Sequence, residues 1–339
     1  MPSRLGKRTI IFENKPRVLG YAAVVGSKEG QGPLSAEFDN IYEDASMGFK
    51  SFEKAESELQ RMAVLTALKK ANLNPENIDC IFAGDLLNQC IGSSFGIMDL
   101  CIPFVGLYGA CSTMALSLLN AATYVDSGAA THAVAVTSSH FCSAERQYRF
   151  PLEYGAQRPP TAQWTVTGSG SVVLGQGEKR PYVHSATIGL VCDLGVKDAN
   201  NMGAAMAPAA YDTILAYLTD TNTKPQDYDA IFTGDLGLVG SELLYELMSR
   251  DGVDLKPKHK DCGLMIYDRK RQDTHSGGSG CGCGASVLCS HILKRLEKGV
   301  FKNILFCATG ALLSPTSTQQ GDNIPVIAHV VNLRVDEKS

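Results

Sequence analysis

Asp79-Cys80-Ile81-Phe82-Ala83-Gly84-Asp85-Leu86 returns 150 residues later as Asp229-Ala230-Ile231-Phe232-Thr233-Gly234-Asp235-Leu236. A second echo, at an offset of 171, sets Ala133-Val134-Ala135-Val136-Thr137-Ser138-Ser139 against Ile304-Leu305-Phe306-Cys307-Ala308-Thr309-Gly310, each five residues after a glycine (Gly128, Gly299). Each echo is a short apolar run closing on Gly, Ser or Thr, the pattern of a buried strand entering its turn. Two echoes in the same order predict two copies of one folding unit, with about 21 extra residues in the second. The period is far too long for a solenoid. We expect a duplicated α/β fold with halves at 1–180 and 181–339.

The offset of 171 sets Cys111 opposite Gly282, the centre of Gly280-Cys281-Gly282-Cys283-Gly284. Both lie where a strand or a glycine turn feeds a helix, predicted at 112–126 and 285–297. A pseudo-twofold axis would turn the two helix starts towards a common centre. Elsewhere the periodicity predicts a first strand at 18–25, loop at 33–50, and a helix at 51–71 with Ser51 as N-cap. Strands follow at 79–83, 102–107 and 132–137. Residues 143–163, with three prolines, read as a polar surface excursion, and 171–174 with 183–188 as a strand pair. Helices are expected at 203–220, despite Pro208, and near 241–249. An insert at 251–275 and a strand at 326–335 complete the chain. Strands and helices alternate throughout, which predicts five stacked layers, αβαβα, with sheets covered on both faces.

With 44% apolar and 19% charged residues the chain is globular, and 339 residues allow a sizeable core. A net charge of −4 supplies no basic field, so no nucleic-acid partner is expected. No stretch nears 18 apolar residues, and the apolar run at 9–12 is too short for a signal peptide, so neither a membrane span nor export is expected. Eleven cysteines are many, but several (Cys80, Cys192, Cys289, Cys307) fall in apolar runs, where a reduced thiol packs as a small hydrophobe.

Cys111 is the sharpest site candidate. A cysteine at a helix start, after a strand and a glycine, is laid out like a nucleophile elbow, and the helix end lowers a thiol's pKa. The same N–H groups, beginning at Ser112, also seat an anion without covalent chemistry, and a plain packing cysteine is the bland alternative. His140 ends a predicted strand, where sites gather, although an isolated histidine is usually just hydrogen-bonded. Arg146 can pair a carboxylate bidentately or lie solvated on the surface. Asp85 and Asp235 close the echoed strands, and capping the next turn is their ordinary task. Cys281-x-Cys283 with His275 and His291 has poor spacing for zinc, so no metal is expected. The glycines around it allow close approach to a ligand or a partner helix. Gly168-Ser169-Gly170 is too short for a nucleotide fingerprint.

The duplication, the Gly109-Ala110-Cys111 elbow and the glycine-rich turn of the second half resemble the thiolase-like fold of thiolases and ketoacyl synthases. More narrowly, Ala83-Gly84-Asp85-Leu86-Leu87-Asn88-Gln89, Thr137-Ser138-Ser139-His140, Ala144-Glu145-Arg146-Gln147 and Gly277-Gly278-Ser279-Gly280-Cys281 resemble the stage V sporulation protein AD family. So do Thr165-Val166-Thr167-Gly168-Ser169-Gly170, 202–210 and 308–315. Such a resemblance implies binding of dipicolinic acid, a pyridine dicarboxylate, during its uptake into the developing spore, with membrane proteins of the same transport system. It also implies a peripheral place at the inner spore membrane, with calcium as a possible companion and a homodimer as a possible assembly. Condensing enzymes of this fold carry His or Asn where this chain has Thr233-Gly234-Asp235 and Gly280–Gly284. Without a base and an oxyanion donor, Claisen chemistry loses orders of magnitude. The expectation is therefore a non-catalytic binder using Cys111, Ser112, His140, Arg146, Ser169, Asp85, Asp235 and Cys281, without a cofactor. The alternative is a thiol-dependent acyltransferase, which would need a basic mouth for coenzyme A. A membrane scaffold with a vestigial pocket is a third.

Overall fold

The two echoed segments occupy matching places at opposite ends of one sheet. The computed structural model describes residues 1–148, 158–178 and 181–336. Its first half contributes β1 (Arg17–Gly26), β2 (Cys80–Gly84), β3 (Phe104–Gly106), β4 (His132–Ser139) and β5 (Gly168–Gly175). The second contributes β6 (Tyr182–Thr187), β7 (Ala230–Thr233), β8 (His259–Asp261), β9 (Asn303–Ala311) and β10 (Val326–Arg334). The strand order is β8-β7-β9-β10-β6-β1-β5-β4-β2-β3. It reads the same from either end once the halves are exchanged. Directions match too. β2 runs parallel to β3 and β4, as β7 does to β8 and β9, and the pairs β4–β5 and β9–β10 are antiparallel. The half-sheets meet where Tyr182 pairs with Arg17.

Helices fill three layers around these half-sheets. Helix α1 (Phe52–Ala71), whose start Ser51 caps by accepting from the Lys54 N–H, packs on β1, β4 and β5. Its counterpart across the pseudo-axis packs on β6, β9 and β10 as Met202–Thr221, with Pro208 in its second turn, where the missing N–H leaves the Ala204 carbonyl without its helical donor. Between the half-sheets runs Thr113–Ser127, touching β2 and β4 on one side and β9 and β10 on the other. Beside it Cys281–Val287 lies on β4 and β5 and continues through one π-helical turn, Leu288–Ile292, to Glu297. This is the αβαβα stack of the thiolase-like fold. The largest apolar cluster, with Phe82, Met114, Leu118, Phe232 and Phe306, fills it.

Several local expectations are corrected. The strand at 18–25 is not the first: Ser3–Leu5 and Thr9–Ile11 form a short antiparallel pair, and Ile11 joins β6 at Ser185. β5 and β6 are not partners, because β1 lies beside β5 while β10 lies beside β6. Residues Phe141–Tyr148 are a helix, not a surface excursion. Of the remainder, 149–157 with Pro151 lies outside the described residues, and 158–163 leads inward to the buried Ala162 and Gln163. The second central helix begins at Cys281, four residues earlier than its apolar spacing indicated. Glycine hides that start: a Cβ at Gly282 would stand 2.4 Å from the Gly168 carbonyl oxygen, so only glycine lets this helix seat on β5.

Candidate functional site

From β3 the chain passes through Gly109 into a tight turn, Ala110–Ser112, before the central helix. Ala110 has φ 48°, a left-handed conformation that non-glycine residues adopt only when their surroundings hold them there. The Ser112 hydroxyl donates to the Gly109 carbonyl (2.6 Å) and the Thr113 hydroxyl to the Ala110 carbonyl (2.6 Å). Gly310, from β9, presses on the turn so closely that a Cβ there would lie 2.2 Å from the Gly109 oxygen. Strain and packing together aim Cys111 inward.

The thiol meets a carboxylate. Asp235, fully buried, accepts from the Gly280 N–H (2.9 Å) and the hydroxyls of Ser279 (3.0 Å) and Thr309 (2.9 Å). Its charge also acts on the Cys111 thiol. Burial pushes Asp235 up to about 6. Burial and then the Asp235 charge drive the Cys111 pKa well above the ordinary thiol range. These two effects reverse the acidifying influence of a helix end. Cys281 is buried in the same apolar cluster, with Leu86, Ala110 and Ala144, and its thiol donates to the Ser138 carbonyl (2.9 Å). Burial raises its pKa likewise.

Cys111 forms part of the wall of a recess of about 590 Å³, open mouth included. Leu86, Ala144 and Leu313 give it apolar sides, while Tyr148, Gln163 and Asn200 bring neutral polar groups. Glu145 is its only charged lining residue among those described, and no Lys, Arg or His lines it there.

The other predicted residues go elsewhere. His140 Nε2 faces the Ala45 carbonyl (2.8 Å), its Nδ1 takes the Cys142 N–H (3.1 Å), and Phe52 packs on the ring. Both nitrogens are engaged, which corrects its assignment as a ligand donor. Arg146 is paired with Glu53 and lines a second, separate cavity of about 1040 Å³, open mouth included, with Lys54 and Arg61. Ser169 donates to the Thr137 carbonyl (3.0 Å) inside the sheet, and the Ser112 hydroxyl is held by Gly109. Asp85 takes the capping role: it accepts from the N–H of Leu87 (2.8 Å) and of Ser93 (2.7 Å), at the start of the helix Ile91–Met98. Burial raises it, and Glu56, buried beside it and bonded to Ser143 (2.6 Å), is raised by burial and by the Asp85 charge. Cys111, Asp235 and Cys281 are thus the part of the predicted set that converges. His275 pairs with Asp273 (3.1 Å) and His291 with Glu37 (3.0 Å), away from Cys281. Gln163, Tyr148 and Glu56 were missed. The echo passes over the first two because they have no counterpart in it, and Glu56 is hidden in a helix whose apolar stripe explains its neighbours.

Comparison with known proteins now bears on this geometry. The model of the stage V sporulation protein AD (SpoVAD) family matches residues 6–334. Stage V sporulation protein AD of Bacillus subtilis (strain 168) is 47% identical over 326 residues, 96% of either chain. The chain belongs to the SpoVAD family. Solved structures similar to this SpoVAD-family chain include 3-oxoacyl-[acyl-carrier-protein] synthase III from Aquifex aeolicus (TM-score 0.58, 13% identity, 94% of this chain and 99% of the other). A variant of OleA from Xanthomonas campestris gives a TM-score of 0.61 at 13% identity, with 96% and 99% coverage. At these identities the likeness is one of fold. No helix among the described residues is long and apolar enough to cross a membrane.

The buried acids of this SpoVAD-family fold make its stability depend on pH. Asp235 at about 6 and Asp261 at about 7, both lifted by burial from 3.8, favour their protonated forms in the fold. Their contribution is complete below the unfolded value and is lost as pH rises through the folded ones. His259 and His329, lowered by burial from 6.5 to about 4, act in the opposite sense, losing stability as pH falls through that interval. Above about pH 6.5 the histidines no longer oppose this loss, and Asp261 at about 7 and Glu56 at about 8 still give up protons, so the melting temperature is expected to fall from pH ~6.5 to pH ~8. Thermal melts across this range check it, and a melting temperature that climbs over the range contradicts it.

Proposed function

We propose that this SpoVAD-family chain is a non-catalytic binding protein for dipicolinic acid, acting in its uptake into the developing spore with membrane proteins of the same transport system. One observation carries the non-catalytic reading: the elbow thiol is buried, and the charge of the buried Asp235 carboxylate works against its ionisation. A nucleophilic cysteine needs its thiolate stabilised, and Asp235 instead opposes ionisation. The places where condensing enzymes hold His or Asn carry Asp235 and the Gly280–Gly284 turn, which removes proton transfer to the leaving thiol. What remains is a recess with apolar sides and neutral polar groups. Calcium entering with the ligand would supply positive charge that the described lining lacks. A peripheral seat at the inner spore membrane completes the reading.

The acyltransferase reading rests on the fold and on retention of the elbow cysteine. Titration calorimetry with dipicolinate, with and without calcium, together with intact-mass measurement after incubation with acyl-CoA, separates the two. We expect saturable dipicolinate binding and no acyl adduct. An adduct on Cys111 that turns over, without dipicolinate heat, reverses the assignment.

A further inference from the structure

Gln163 is a buried polar side chain of the recess whose bonding is incomplete among the described residues. Only 6% exposed, it precedes the short strand Trp164–Thr165 and lines the recess beside Cys111. Its Nε2 donates to the carbonyls of Asp235 (2.8 Å) and Gly278 (2.8 Å), which engages both amide hydrogens. Its Oε1 is buried and has no hydrogen-bond donor among the described residues. Turning the amide over would set that oxygen against two carbonyl oxygens, so the orientation is fixed by its neighbours. A buried acceptor left unmet is costly and ordinarily has a partner.

Two of the hydroxyls around it are already directed at the protein's own acceptors. The Ser279 hydroxyl donates to Asp235, and the Tyr148 hydroxyl donates to the Leu86 carbonyl. Thr165 and Asn200 complete the polar lining as neutral groups. The titratable groups facing this space are Cys111, Tyr148 and Glu145 in the lining, with Asp235 behind it. None of them brings positive charge. A fully ionised dicarboxylate would set one more acceptor against Oε1 and add charge next to two acids.

We propose that Gln163 reads a hydrogen-bond donor on the ligand, so that the recess selects a molecule presenting an N–H or O–H at this point. For dipicolinate, the proposed ligand on whose assignment this last step rests, the selected form carries a proton on one carboxyl. The other carboxylate is left to neutral donors such as Thr165 and Asn200.

Two uncharged compounds of the dipicolinate shape test the donor reading directly. Pyridine-2,6-dicarboxamide presents N–H donors, and dimethyl pyridine-2,6-dicarboxylate presents none. Titrated into the intact protein at one pH, the diamide is expected to bind at least about tenfold more tightly, the scale of a buried acceptor left unpaired. Gln163→Leu, checked for folding by circular dichroism, is expected to erase the difference. Because the comparison is made on the unmodified protein, it stands even if that variant fails to fold. Equal binding of the two compounds, or binding of neither, overturns the proposal and means that Oε1 is met by water. Dipicolinate titrated in the same series judges the ligand separately. Its binding without a diamide preference keeps the dipicolinate reading and removes the donor reading, whereas a diamide preference without dipicolinate binding does the reverse.

Discussion

Asp235→Ala is expected to cost about 3–5 kcal/mol of folding stability, the range for stripping a buried polar network of its central acceptor. The size follows from the number of groups that lose their partner. The Gly280 N–H and the hydroxyls of Ser279 and Thr309 would all remain buried with nothing to accept from them. The loss reaches further than a cap, since these partners come from the second-half glycine turn and from β9. Asp235→Asn separates the two roles of this residue. It keeps an oxygen acceptor, so it should cost less, but it removes the charge that opposes the thiolate of Cys111. Cys111 alkylation near pH 8 should then speed up about tenfold, the effect of roughly one pKa unit on the thiolate fraction. Chemical denaturation and thiol labelling followed by mass spectrometry give the two numbers. A near-neutral Asp235→Ala, or an Asp235→Asn that alkylates no faster, would contradict the network described.

Cys111→Trp is expected to abolish dipicolinate binding, by a factor of about 100 or more, because an indole introduced at this wall competes with the ligand for the same volume. Cys111→Ser should bind within a few-fold of the parent. Serine keeps a small polar group at this wall, and in the binding reading nothing is asked of a nucleophile at this position. Calorimetry on both variants, with melting temperatures to show that each is folded, tests the pair. Were Cys111→Trp to bind normally, the ligand would lie elsewhere, and the second cavity with Arg146 and Lys54 would become the place to look. Loss of binding in Cys111→Ser alone would point to thiol chemistry and favour the acyltransferase reading. Arg146→Ala and His140→Ala, by contrast, alter groups that face Glu53 and Ala45 and should leave the recess nearly unchanged.

The duplication was legible because a buried strand and its turn must repeat the same apolar run and the same small residues. Asp79–Leu86 and its echo therefore announced matching places in the sheet. Cys111, Asp235 and Cys281 were legible for the same reason: each stands at a turn that the pseudo-symmetry brings to the centre. His140 and Arg146 show where such reasoning stops. Both follow the strand that ends at Ser139, but nearness in sequence says nothing about direction. The helix beginning at Phe141 turns Ala144 and Glu145 to the recess and Arg146 to the other cavity. Ser169 failed through strand alternation, since its hydroxyl bonds within the sheet. Gln163 was not legible at all. A glutamine in a polar stretch is unremarked until folding buries it and engages its amide hydrogens but not its oxygen.

The central claim, that dipicolinate sits over a thiol which takes no part in chemistry, is tested most directly by protection of that thiol. Maleimide labelling of the intact protein, read peptide by peptide by mass spectrometry, follows Cys111 and uses Cys101, which is exposed, as an internal control. With saturating dipicolinate, Cys111 labelling is predicted to slow at least tenfold while Cys101 is unaffected. Labelling of Cys111 at the same rate with and without saturating ligand would contradict the account.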